Sequence, residues 1–132
     1  RPVLEQENDS GETALMLAAM KGWEQVSKRL IDLGAQVNRD GWTPLHYAAA
    51  SGNVALIRML VEKGAALDAE SFNGATPLMM AAMYGNGATV KLLLESGADA
   101  EVRNDQGLSA MDFAQRAGRE DAVQLIRQVL AR

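Results

Sequence analysis

Four stretches of this chain say nearly the same thing, and that repetition limits the fold more than any other feature. They begin Thr13-Ala14-Leu15, Thr43-Pro44-Leu45, Thr76-Pro77-Leu78 and Ser109-Ala110-Met111, with successive starts 30, 33 and 33 residues apart. Each start is followed nine residues later by Gly22, Gly52, Gly85 or Gly118, and twelve residues after the first three of these come Gly34, Gly64 and Gly97. Self-similarity at such a period is the mark of a stack of small units, each burying its apolar face against the next.

The second unit shows the local logic. Thr43 can cap a helix by accepting from an unpaired backbone N–H. Pro44 suits the first helical position, where its missing N–H costs nothing. A first helix is predicted over 43–51, ended by Gly52 in the left-handed conformation, with the corresponding role for Gly22, Gly85 and Gly118. A second helix is predicted over 54–62, with Val54, Leu56, Ile57, Leu60 and Val61 spaced for one buried stripe. Gly64 closes it, and the polar, turn-rich residues 65–74 read as an extended finger ending in Asn73-Gly74. Helices of about nine residues are marginal alone in water, so they persist only by stacking.

The run Thr43-Pro44-Leu45-His46-Tyr47-Ala48-Ala49, followed by Gly52-Asn53 and Leu60-Val61-Glu62-Lys63-Gly64-Ala65, resembles the ankyrin repeat. So does Val90-Lys91-Leu92-Leu93-Leu94-Glu95-Ser96-Gly97-Ala98-Asp99, and the resemblance covers about residues 9–131. It implies a single all-α repeat solenoid, with units near 9–38, 39–70, 71–104 and 105–131. Each would be a helix–turn–helix with a hairpin or loop finger. It also implies framework roles for Thr43, Pro44, Gly52, Gly64, Thr76, Pro77, Gly85 and Gly97. For His46 it implies a hydrogen bond linking the Thr43 turn to the neighbouring finger, in preference to work as a free base or ligand.

Departures from the pattern single out particular units. The first lacks the Pro and His, reading Thr13-Ala14-Leu15-Met16, and its second helix is predicted over 24–33 with Val26, Leu30, Ile31 and Leu33 in the core. Seven positions separate Gly34 from Gly41, against ten in the later fingers, so a tight turn at Asn38-Arg39-Asp40-Gly41 should leave a notch in the row of fingertips. The fourth unit carries Asp112 where the second has His46. Its outer positions Gln115, Arg116, Arg119, Glu120, Gln124, Arg127 and Gln128 are polar, as a C-terminal cap requires. Phe113, at the position of Tyr47, is expected in the core. Asn8-Asp9-Ser10-Gly11 matches Asn104-Asp105-Gln106-Gly107, so residues 1–8 read as the exit loop of an upstream repeat missing from this chain.

No catalytic constellation emerges. His46 is the one histidine and there is no cysteine, which leaves no triad base beyond it and no thiolate metal site. Asp68 with Glu70 and Asp99 with Glu101 are carboxylate pairs on one side of an extended segment, but too few for a calcium loop. Solvated finger sides are the simpler reading. Gly85-Asn86-Gly87 lacks the lysine of a phosphate loop and reads as the inter-helix turn. No cofactor is implied. Lys28, Arg58 and Lys91 form a sparse outer column, read as a solubilising face.

The expected function is that of a non-catalytic protein-interaction module, with a recognition or regulatory domain of a larger enzyme or effector as the alternative. The family binds partners with its fingers and the exposed end of the first helices. Carried onto this sequence, that surface comprises Met20, Lys21, Trp42, Ser51, Phe72, Asn73, Met83, Tyr84, Leu108 and Arg116. Trp42, Phe72, Met83 and Tyr84 would form one exposed patch of the residue types found at interface centres. Alternatively, Trp42 folds over the short finger and Phe72 over the next. The acidic fingers (Asp68, Glu70, Asp99, Glu101, Asp105) favour a partner with a basic patch. A formal charge of −4 argues against nucleic acid, and no apolar run is long enough for a membrane span. The chain is expected to be a soluble monomer, cytoplasmic or, if bacterial and exported, periplasmic.

Overall fold

The first helix of every unit starts at its Thr or Ser for one chemical reason. The side chains of Thr13, Thr43, Thr76 and Ser109 accept from the backbone N–H three residues on. In return Met16 Sδ, His46 Nδ1, Met79 Sδ and Asp112 Oδ2 accept from the cap's own N–H. Two orphan donors are satisfied at each start. In the computed structural model, which describes residues 4–132, eight helices follow in four pairs. They are α1 (Ala14–Lys21), α2 (Glu24–Asp32), α3 (Pro44–Ser51), α4 (Val54–Glu62), α5 (Pro77–Tyr84), α6 (Gly87–Glu95), α7 (Ala110–Arg116) and α8 (Glu120–Leu130). Residues 1–3, part of the segment read as an exit loop, lie outside the described residues.

The pairs stack into the all-α solenoid implied by the repeat. The odd-numbered helices form one column and the even-numbered helices a second. Small side chains set the spacing of the first column: Ala18, Ala19, Ala48, Ala49, Ala81, Ala82 and Ala114 are all buried. Leu45, Leu56, Ile57, Leu60, Leu78, Leu93 and Ile126 fill the space between columns without any exposure. No helix among the described residues is long and apolar enough to cross a membrane.

Three local expectations need correction. In α2, Val26 is exposed and Leu30 only half-buried, because nothing among the described residues packs on that side of the first unit. Ile31 is half-buried, as are Val61 and Leu94 at its place, and Leu33, just after the helix, is exposed like Lys63. Gly85 is not left-handed. Its φ of −83° and ψ of −140° contrast with φ of 75°, 76° and 69° at Gly22, Gly52 and Gly118. Glycine is required there by close approach instead, since a Cβ would lie 2.5 Å from the Ala49 carbonyl oxygen. Phe113 is half-buried, packing against the core from its edge.

The fingers are loops rather than regular hairpins. At three tips the backbone closes a turn: Gly11 N–H donates to Asn8 O, Gly74 N–H to Ser71 O and Gly107 N–H to Asn104 O. In the short finger Asn38 is diverted. Its Nδ2 donates to Gly64 O at 2.9 Å, and its Oδ1 accepts from Ala66 N–H at 2.8 Å, both in the next unit. Asp68 Oδ1 likewise accepts from Asp99 N–H, and Glu5 Oε2 from Gln36 N–H, each at 2.9 Å. These acceptors form a ladder tying each loop to the next. Asp68 is therefore a framework residue rather than a merely solvated carboxylate, and Asp99 also accepts from Glu101 N–H. The sequence carried the signal, since Asn38, Asp68 and Glu101 each stand four residues after a helix-closing glycine.

Candidate protein-interaction face

His46 anchors the centre of the finger-side surface. It is fully buried; Nδ1 accepts from Thr43 N–H at 3.1 Å and lies 2.9 Å from Thr43 Oγ1, while Nε2 lies 2.8 Å from Ala75 O. Because Ala75 O can only accept, the ring is the neutral Nε2–H tautomer. Burial holds its pKa below the ordinary 6.5, outweighing the opposing bond to Ala75. The imidazole thus joins the second unit's helix start to the third unit's finger, with both nitrogens committed to the framework.

Trp42, next to the Thr43 cap, is half-buried. Its ring stacks on Tyr47, with centroids 6.5 Å apart and planes 4° from parallel, and meets His46 edge-on at 5.1 Å. Tyr47 is held in turn by Glu12: its hydroxyl donates to Oε2 at 3.1 Å, and burial with this carboxylate raises its pKa. Trp42 is therefore rigid, with part of its surface left to solvent.

Two clefts meet at this tryptophan. One, of about 280 Å³, is lined by Trp42, Asn73, Met79, Met80, Met83, Tyr84 and Phe113, among others. The other, of about 150 Å³, is bounded by Glu7, Met16, Arg39, Trp42, Tyr47 and Phe72. Arg39 pairs with Glu7 and its second nitrogen lies 3.5 Å from Met16 Sδ. The four residues expected in one patch thus line two adjoining clefts: Met83 and Tyr84 one, Phe72 the other, Trp42 both. Phe72 is 79% exposed, yet its ring edge covers the Gly41 backbone so closely that any Cβ there would collide. The short finger leaves room for that ring.

The remaining candidates are dispersed. Tyr84 is 61% exposed, and Asn73 is exposed beside it. Ser51 is exposed, but its hydroxyl donates to Ala19 O and Ala48 O, so it serves the stack first. Met20 is exposed, and Lys21 places its ammonium 5.7 Å from the Trp23 ring at the end of the array. Leu108 is half-buried, its N–H and C=O both bound to Asn104. Arg116 is exposed on α7. Lys28, Arg58 and Lys91 are all exposed; Lys28 pairs with Asp32 one turn on.

Known proteins match this arrangement. The family model for ankyrin repeats (three copies) matches residues 3–71 and 66–129. Mouse protein phosphatase 1 regulatory subunit 12A is 48% identical over 67 residues, covering 48% of this chain and 6% of that protein. The ankyrin repeat-containing protein ITN1 of Arabidopsis thaliana is 39% identical over 70 residues, 49% of this chain and 12% of its own length. Mouse protein fem-1 homolog A-like is 35% identical over 72 residues, 52% of this chain and 11% of its own. The aligned stretch is thus a small fraction of each relative. With nearly all of its length matched by the family model and its helix pairs phased accordingly, the chain belongs to the ankyrin repeat family.

Proposed function

We propose that this chain is a non-catalytic module that binds another protein through its finger-side face, with the two clefts beside Trp42 at the centre. Ankyrin repeats are protein–protein interaction modules, which supplies the general role. The observation that carries the particular site is the rigid Trp42 wall between clefts edged by exposed Phe72 and Tyr84. Aromatic and methionine side chains on a fixed support give large contact area at small entropic cost, as interface centres need. The methionine-lined cleft suits an apolar side chain. Exposed Glu70, Glu101 and Asp105 on the fingers favour basic residues around that anchor. The protein is proposed to act as a monomer.

A second reading is favoured by the comparisons: the relatives are much longer than the matched stretch, and one is named as a regulatory subunit. On that reading the same face recruits a partner for a larger protein. Both readings share one test. Partners captured by the intact chain and identified by mass spectrometry are titrated against Phe72→Ala and Tyr84→Ala, which truncate exposed rings. Each should weaken binding at least tenfold with unchanged helical circular dichroism, and moderate salt should weaken the native complex. Undiminished binding by both variants, with loss on changing Lys28, Arg58 and Lys91, would move the site to the outer face.

A further inference from the structure

The four units act as internal controls for one another, and the first differs from the rest on one side only. Val26, Leu56, Thr89 and Ala122 occupy equivalent places on α2, α4, α6 and α8. The last three are buried, whereas Val26 is 47% exposed. Leu30 is half-exposed where Leu60, Leu93 and Ile126 have no exposure, and Ala14 is exposed where Pro44, Pro77 and Ala110 are buried. The fourth unit has no following unit among the described residues, yet it buries Ala110, Ala122 and Ile126. Cover at these positions therefore comes from the preceding unit.

A hydrogen-bonding position tells the same story. Asn86, at the N-cap of α6, donates from Nδ2 to Gly52 O at 3.1 Å. Arg119, at the N-cap of α8, donates from Nε to Met83 O at 3.2 Å and from Nη1 to Gly85 O. Both reach back to the turn of the unit before. The first unit places Trp23 there, 53% exposed, an indole N–H donor on a broad apolar ring. The opposite end of the array differs: Gln115 is exposed where Ala19, Ala49 and Ala82 are buried, and Arg127 is exposed where Val61 and Leu94 are half-buried. Polar residues thus replace covered ones on α7 and α8, whereas the first unit, apart from Arg29 at the place of Met59, Leu92 and Leu125, leaves apolar Ala14, Val26 and Leu30 uncovered.

We propose that the α1–α2 end is a stacking face whose occupant is one further ankyrin-type helix pair, carried ahead of Leu4 on the same polypeptide. It would cover Ala14, Val26 and Leu30 as each unit covers its successor, and offer its turn carbonyl to Trp23 Nε1–H. The face continues the register of the three interfaces already in the stack, which is why a helix pair fits it. A second copy of this chain offers at its far end the largely polar surface of α7 and α8, with Leu130 the large apolar side chain exposed there. The inference is independent of what binds at Trp42.

The test adds such a pair to the chain. A copy of residues 75–99 joined directly ahead of Leu4 keeps the repeat register and retains residues 4–132. In a Trp42→Phe background Trp23 reports alone. Its emission should shift to the blue, helical ellipticity should rise, and the melting temperature should increase by roughly 5 °C or more. Val26→Asp should leave the parent chain within about 2 °C, as surface changes do, but abolish the gain in the extended one. A second extension using residues 42–66, with Trp42→Phe made in the copy as well, guards against a fault peculiar to one copy. Failure of both to shift Trp23 or add helix would overturn the proposal. So would sedimentation of the parent chain as a dimer that Val26→Asp dissolves, which would make the occupant a second copy.

Discussion

At the scale of single residues, two buried polar side chains have opposite standing. His46 has partners for both ring nitrogens and is kept neutral by burial, with a pKa below 6.5. The unfolded chain therefore takes up a proton that the folded chain resists. Stability from this residue is full above pH 6.5 and falls as the pH drops through 6.5 towards the depressed folded value. His46→Met, which copies the residue at the same place in α1 and α5, should be less stable at pH 7.5 by about 1–2 kcal/mol through loss of the Ala75 bond. Thermal melts at pH 7.5 and 5.5 should show a smaller acid-side decrease for the variant than for the native chain. Ser27, by contrast, is fully buried with no partner for Oγ, at a place where the other units have Ile57, Val90 and Val123. Ser27→Ala should raise stability by about 1 kcal/mol in urea titrations, since it removes an unsatisfied hydroxyl and improves helix propensity. The His46 bond to the next finger followed from its place in the motif; the isolation of the Ser27 hydroxyl did not, because it depends on every neighbour that surrounds it.

At the scale of elements, glycines that follow different helices do different jobs. Gly64 has φ of +88° with open space around its Cα, so Gly64→Ala should cost about 1–2 kcal/mol through backbone conformation alone. Gly85 has an ordinary negative φ, but a Cβ there would meet the Ala49 and Ala81 carbonyl oxygens at 2.5 and 2.9 Å. Those atoms belong to packed helices and cannot yield. Gly85→Ala should therefore be the worse of the two, at about 2–3 kcal/mol, when both are compared by urea unfolding. The loops obey the same distinction between local and cross-unit causes. Asn38→Ala should cost about 1 kcal/mol by losing its links to Gly64 and Ala66, although no bond within its own finger is broken. The bounds of α4 were legible from spacing and capping, which are local properties. The conformation of Gly85 was not, since it shares its motif position with the left-handed Gly22, Gly52 and Gly118.

For the whole molecule, stability is a sum over units and the interfaces between them, so it need not be uniform along the stack. The first unit has one covered side among the described residues and an α2 in which Val26 is exposed and Leu30 half-buried. The third has α3 and α4 on one side and α7 and α8 on the other. Amide hydrogen exchange should accordingly be faster in α1 and α2 than in α5 and α6, and equal protection throughout would mean that the array unfolds only as one body. The sequence by itself determined the architecture: the Thr and Ser caps, the glycine spacing and the small-residue helices are signals that act locally along the chain, and their recurrence every 30 or 33 residues specifies a stack of helix pairs. The tertiary structure alone decided which apolar residues are covered, how the notch in the finger row is filled, and that Trp42 stands between two clefts. Those outcomes depend on atoms brought together from units some 30 residues apart, and exposure is a property of the assembled surface, which no spacing along one strand of sequence encodes.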